Sequence, residues 1–444
     1  MVEKYKIYTG FLFSSFWLLA CHGFIISDIA PSLQPLVNVI RLYCDIVFLL
    51  LGLISLRNRH DIFMTIVIIL LIITSKYVNH QGIIEALNGF RLYIPLMVSI
   101  PIIRYMLSSA NAERFVKSFD RQLLIFLYIQ AIIIPFQFIR YGANDFVGGS
   151  FGNGGSGQVS TMIYVVSFYL LNKRWDFDKS WLANFAENKR YFFLLFPTFL
   201  NETKISFVFL FLYFLLLIKR DGKFFMRILL LSPIVAVLIV GLGYVYLNAS
   251  QQEADNVFSM EYIDTYLTGG EDADELIDLA IMIQDEDLMA EDHTLWALDL
   301  PRFVKLYKVR DALEDSGGGL VLGAGVGQFK GGSIIGRSHF AKKNNWLLQG
   351  SVVGLFWILI ELGILGAIWI FATLIYLLRL PLPGKMGFNF KFYLTCVWGL
   401  VLIYDPQLSQ IVPVFITTYV AMTGLQPESC QRITALASDN KRRG

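Results

Sequence analysis

Charge is the first thing this sequence lacks. Only 16% of its 444 residues are Asp, Glu, Lys or Arg, against roughly 25% in a soluble globular domain, and this excludes a water-soluble fold. The formal net charge of +2 is too small to mark a nucleic-acid footprint. Cysteine is scarce as well: Cys21, Cys44 and Cys396 stand inside apolar runs and Cys430 in the polar tail, which leaves no framework of paired loop cysteines. No divalent-metal motif of the Asp-x-Asp kind stands in the polar loops in the required context, so no metal or other cofactor is expected. An internal repeat is missing too, which counts against transporters built from repeated halves.

Apolar length is what the chain has. Hydrophobic residues make up 55% of it and aromatic residues 15%, at a mean hydropathy of +0.57. Runs such as 205-ISFVFLFLYFLLLI and 226-MRILLLSPIVAVLIVGLGYVY approach or reach the roughly 20 residues that a helix needs to cross a bilayer. The expected fold is therefore all-α and polytopic. About twelve spans are expected, near 7–27, 38–56, 61–75, 90–107, 122–140, 158–172, 191–200, 204–218, 226–246, 351–378, 390–404 and 407–424. The first follows Lys4 and Lys6 without a small-residue cleavage site and reads as an uncleaved span. If every span crosses, Arg57/Arg59, Arg114/Lys117/Arg121, Lys173/Arg174, Lys219/Arg220, Arg379/Lys385 and Lys441/Arg442/Arg443 share one side. The positive-inside rule makes that side cytoplasmic, with both termini on it.

Four regions follow: membrane helices over 1–247, one large outer loop over 248–349, membrane helices over 350–425, and a cytoplasmic tail over 426–444. The loop divides by charge. Residues 248–301 hold many carboxylates and no Lys or Arg; this reads as a solvated face rather than a calcium site, with Leu276, Leu279, Ile281 and Ile283 suggesting a short amphipathic helix. From Arg302 the sign reverses, through Lys305, Lys308, Arg310, Lys330, Arg337, Lys342 and Lys343. Cations are normally scarce on the outer side, and an anionic head group, above all a diphosphate, gives a reason to keep them. An ordinary charged helix surface is the competing reading. Two further outer elements are the Gly-rich stretch 141-YGANDFVGGSFGNGGSG and the polar tetrad 201-NETK.

Five pieces in order, Arg302, Ala312-Leu313, 323-GAGVGQF, 344-NNWLL and 361-ELGILG, together with 148-GGSFGNGGSG and 201-NETK upstream, resemble the bacterial O-antigen polymerases and O-antigen ligases. The resemblance rests on the order of degenerate motifs over about 140–370. It implies a GT-C-like helical membrane glycosyltransferase of the inner membrane, metal-independent, with its site facing outward. The implied donor is a polyprenyl-diphosphate-linked oligosaccharide, transferred to a glycan acceptor in O-antigen, capsule or exopolysaccharide synthesis, with chain-length regulators or export proteins as partners.

Such a site needs cations for the departing diphosphate and a group to orient or deprotonate the acceptor. Arg302 is the first candidate for the diphosphate, by motif and by charge. Lys204 stands at an apolar boundary where a lone charge is costly; it binds substrate or pairs with Glu202. Arg91 and Arg140, at the expected outer ends of their spans, complete a cationic funnel or snorkel to the interface. Arg310 is a further phosphate candidate. His339 reads as a base or as an exposed loop residue, and Asn345 as a sugar contact or a helix cap. Glu361, an ionisable residue inside an apolar run, is a functional candidate by its position. Two other functions compete: a lipid-oligosaccharide flippase or other polysaccharide transporter, and a non-catalytic assembly component docking through its acidic loop.

Overall fold

The computed structural model describes residues 2–142, 146–201, 205–218, 226, 229, 233, 302–314, 316–328, 338–348, 353–379, 386–404 and 407–423. The acidic segment 248–301 with its expected helix, Lys204 and the tail 426–444 lie outside the described residues. Among those described, helices carry the whole architecture and no strand occurs.

Helix α1 (Val2–Phe24) runs into a π-helical turn at Ile25–Ile29. Helix α2 spans Gln34–Ser55 and α3 Arg59–Val78. Asn58 starts α3 by accepting the His60 N–H at 2.9 Å, which satisfies one of the free donors of a first helical turn. Then come α4 (Ile83–Phe90), a 3-10 turn at Arg91–Tyr93, α5 (Ile94–Leu107), α6 (Ala112–Tyr141), α7 (Ser156–Asn172), α8 (Trp181–Phe193) and α9 (Ile205–Leu216). The described part of the late polar region forms short helices: α10 (Arg302–Tyr307), α11 (Val309–Leu313), α12 (Gly319–Leu322), α13 (His339–Lys343) and α14 (Asn345–Leu348). Helices α15 (Gly354–Arg379), α16 (Met386–Tyr404) and α17 (Ile411–Thr423) complete the chain.

Helices α5, α7 and α17 are buried on nearly every side, as expected for helices that are apolar all round. Helix α5 lies between α2 and α17, α7 packs on α6, α9 and α17, and α1 packs on α2. The outer helices turn large apolar side chains outward, among them Leu50, Phe63, Leu70 and Ile132, a surface suited to acyl chains rather than water. Near the cytoplasmic side expected from the charges, Asp120 of α6 accepts from Tyr169 at 3.0 Å, Tyr419 at 2.8 Å and Lys173 at 2.7 Å. One carboxylate thus ties α6, α7 and α17 together.

Among the described residues, six stretches are long and apolar enough to cross a membrane: Tyr5–Ile29, Pro31–Ser55, Arg59–Val78, Ile83–Leu107, Ala112–Tyr141 and Gly354–Arg379. The run at 191–200 is no helix of its own; it divides between the end of α8 and a 3-10 turn at Phe196–Phe199 with Pro197 as its second residue, where the ring removes a donor. The span expected at 90–107 starts earlier, at Ile83, and Arg91 interrupts it from within. The oversized run at 351–378 is broken, with Gly363 at φ 60° and ψ −157° inside α15. The run at 226–246 is described only at single positions.

Candidate functional site

The break at Gly363 organises the site. A broken helix leaves backbone carbonyls without intrahelical donors, and at membrane depth each costs several kcal/mol unless protein supplies a partner. Here the turn after α12 supplies it. Ala324 N–H donates to the Ile360 carbonyl at 2.8 Å and Gly325 N–H to the Glu361 carbonyl at 3.1 Å. The polar segment following Arg302 is thereby seated in a membrane helix. Gly323, Gly325 and Gly327 all have positive φ, which only glycine adopts without strain. The glycine pattern that reads as a tight turn is therefore a helix-break cap.

A carboxylate closes the junction. Glu361 is fully buried; its Oε1 accepts Gly327 N–H at 2.9 Å and its Oε2 accepts the Tyr93 hydroxyl at 3.0 Å. Helix α3 and the loop after it hold the other side of the turn. Ser75 Oγ donates to the Leu322 carbonyl at 3.0 Å, Asn79 Nδ2 to the Gly323 carbonyl at 3.0 Å, and Gln81 Nε2 to the Val326 carbonyl at 3.2 Å. Gly89 of α4 lies so close to the backbone of Val326 and Gly327 that a side chain would not fit.

Tyr93 belongs to the same 3-10 turn as Arg91. Arg91 reaches the other way, to Asp45 of α2, with Nε 2.8 Å and Nη2 2.7 Å from Oδ2. One turn thus joins two intramembrane carboxylates, Asp45 on α2 and Glu361 on α15. The Asp45 side chain is only 9% exposed. Asp45→Ala is expected to destabilise the fold by about 3–5 kcal/mol, because it strands a guanidinium away from bulk water; thermal unfolding in detergent measures it.

The Gly-rich stretch turns inward over Gly149–Phe151. Gly149, Ser150 and Phe151 are buried between α1, α6 and α7. Two glutamines of α6 satisfy their backbone: Gln137 accepts Gly149 N–H at 2.7 Å and returns a bond to its carbonyl at 3.2 Å, and Gln130 accepts Ser150 N–H at 2.9 Å. Asn201, first of the polar tetrad, donates to the Ser156 carbonyl at 3.2 Å and bonds Ser160. The two upstream motif pieces therefore meet at the start of α7.

Of the residues expected at the site, the structure links Arg91 and Glu361 through the Arg91–Tyr93 turn. Arg140 is tied instead to the π-turn of α1, donating to the Asp28 carbonyl at 3.3 Å with the Asp28 carboxylate 3.9 Å away. Arg302 is half-buried at the start of α10, which packs on α15. Arg310 is exposed on α11, and His339 is exposed at the start of α13 behind the Ser338 cap. Asn345 opens α14. Sequence reasoning missed Asp45, Arg41 and Tyr93, and it listed Lys305 only as one cation of a surface; Lys305 is fully buried. Asp45 and Arg41 carried a usable signal, being ionisable residues four apart within one apolar run.

Among the described residues, no group of three or more His, Cys, Asp or Glu side chains that could hold a metal ion occurs. Comparison of the chain with family models, with curated proteins and with solved structures gave no match in any of the three.

Proposed function

We propose that this chain is a membrane glycosyltransferase of the O-antigen polymerase or ligase type, which transfers polyprenyl-diphosphate-linked glycan on the outer face of the inner membrane. The observation that carries the reading is the seating of the segment after Arg302 in the broken helix α15, with Ala324 and Gly325 capping it and Glu361 closing the junction. Irregular backbone at membrane depth is tolerated where it is buried in protein or lines a cavity, and a lipid-linked sugar presents its reacting bond at that boundary. The chain also gathers there two motif pieces of the resemblance, 323-GAGVGQF and 361-ELGILG.

In the proposed step the acceptor hydroxyl attacks the anomeric carbon of the donor. A new glycosidic C–O bond forms, the bond to the diphosphate oxygen breaks, and the polyprenyl diphosphate leaves with that electron pair. Arg302 neutralises the leaving group, with Arg91, Arg140, Arg310 and Lys204 as supporting cations. His339 takes the hydroxyl proton, and Asn345 contacts the sugar. Glu361 acts by position, holding the turn and Tyr93 together.

The test is full-length protein in proteoliposomes with an undecaprenyl-diphosphate-linked oligosaccharide. A ladder of longer lipid-linked glycans, or transfer to an added glycan acceptor, supports the proposal. Because the cations are side chains, the product is expected to persist in EDTA; loss of all product in EDTA would contradict the metal-independent step. Movement of the lipid across the bilayer without elongation or transfer would establish the flippase reading instead.

A further inference from the structure

Arg41 is a cation of the membrane helices that the junction does not use. Arg41 lies on α2 one helical turn before Asp45, and it is half-buried. Asp45 is already engaged twice through Oδ2 by Arg91. Arg41 stands within electrostatic reach of Asp45, Arg91 and His22, yet among the described residues it makes no hydrogen bond and no ion pair within 4.0 Å. Two guanidiniums thus share one carboxylate, leaving a positive charge in a segment that is otherwise apolar. An intramembrane charge without full compensation marks a ligand or ion path by default.

The surroundings say which anion suits it. Val39 and Leu42 of α2 and Ile83 and Leu87 of α4 are strongly exposed, and Ile83, Leu87 and Arg91 follow at intervals of four residues. An anion reaching this place is therefore accompanied by hydrocarbon. Asp45 Oδ2 takes two nitrogens of the Arg91 fork, Nε at 2.8 Å and Nη2 at 2.7 Å, so that the pair is ordered before any ligand arrives.

We propose that Arg41 and Arg91, braced by Asp45, form a lateral binding site for the diphosphate head group of a membrane lipid whose chain lies along the exposed apolar faces of α2 and α4. This rests on the glycosyltransferase reading for the side of the membrane and for the lipid, and it adds Arg41 as a substrate-binding residue. Phosphate is the shared chemistry; a polyprenyl diphosphate, an ordinary phospholipid and free pyrophosphate are its sources.

Native mass spectrometry of the full chain in detergent, titrated with undecaprenyl diphosphate, phosphatidylglycerol, undecaprenol or inorganic pyrophosphate, separates them. Arg41→Gln removes a charge without breaking a described bond, and its unfolding midpoint is expected to match wild type. It should weaken undecaprenyl diphosphate binding about tenfold or more, as loss of a charge-assisted contact does. Arg41→Lys should fall between, keeping the charge but not the fork. Undecaprenol should bind equally to all three proteins, and pyrophosphate more weakly than the lipid. Equal binding of undecaprenyl diphosphate to wild type and Arg41→Gln overturns the site. Equally tight, Arg41-dependent binding of phosphatidylglycerol overturns the diphosphate assignment. If wild type makes no glycan yet Arg41→Gln still loses the lipid, the site stands and the enzymatic reading falls; glycan synthesis with unchanged lipid binding in Arg41→Gln does the reverse.

Discussion

Gly363→Ala is expected to unseat the 316–328 segment from helix α15 and to abolish the proposed sugar transfer. The backbone at 363, with φ 60° and ψ −157°, lies in a region essentially restricted to glycine, where another residue costs about 1–3 kcal/mol. Space is the second obstacle. A Cβ would be driven into the carbonyl oxygens of Leu320 and Val321, which are backbone atoms of α12 and cannot rotate away. Two relaxations are open to the variant. Either α15 straightens and returns Ile360 and Glu361 carbonyls to intrahelical donors, or α12 lifts off and takes Ala324 and Gly325 with it. Both break the two capping bonds at 2.8 and 3.1 Å. Limited proteolysis of the folded protein should then cut within 316–328 at least tenfold faster than in wild type, about the factor that 1.4 kcal/mol of local opening provides. Unchanged proteolysis and unchanged transfer would mean that the break holds nothing.

Glu361 separates two roles by its substitutions. Glu361→Ala removes the acceptor of a buried N–H and of a buried hydroxyl, at about 1–3 kcal/mol for each group left unpaired. A lowered thermal midpoint and loss of transfer are expected together. Glu361→Gln keeps a carbonyl oxygen for Gly327 N–H, and its amide can donate to Tyr93 once the hydroxyl turns. Both oxygens face protein groups and the side chain has no exposed surface, so the amide is expected to retain stability and to keep transfer within about tenfold, the range one altered hydrogen bond commands. Full stability with transfer lost would assign Glu361 to proton transfer instead. Tyr93→Phe gives an independent reading of the same network, since it removes the hydroxyl that donates to Glu361 Oε2 and leaves the Gly327 N–H bond to Oε1 in place.

The helical, bilayer-length character of the chain is legible in composition and run length, because burying backbone in lipid leaves few alternatives to the helix. The subdivision into spans is less so. A ten-residue run such as 191–200 carries the hydropathy of a span, but Pro197 and the end of α8 divide it, and run length alone does not count hydrogen bonds. The junction was half legible. Glu361 stands out as a charge in an apolar run, and the glycines of 323–327 stand out as a turn. That the turn caps the helix that Glu361 occupies depends on a contact across 34 residues, which no local pattern encodes. Arg91 is legible as a misplaced cation, whereas its partner Asp45 lies 46 residues away on another helix, a pairing that no local pattern encodes. The Gly-rich stretch reads as an outer loop, yet Gln130 and Gln137 draw the backbone of Gly149 and Ser150 inside; glutamines in an apolar helix are the available signal.

The most direct measurement compares glycan synthesis by purified wild type and Arg302→Ala, at equal folded yield in lipid, with an undecaprenyl-diphosphate-linked repeat unit as the sole donor. The account predicts a ladder or an acceptor-linked product in wild type and a loss of about a hundredfold or more in the variant, the scale set by removing a group that stabilises developing charge. No product from wild type, or an equal product from both proteins, would contradict it.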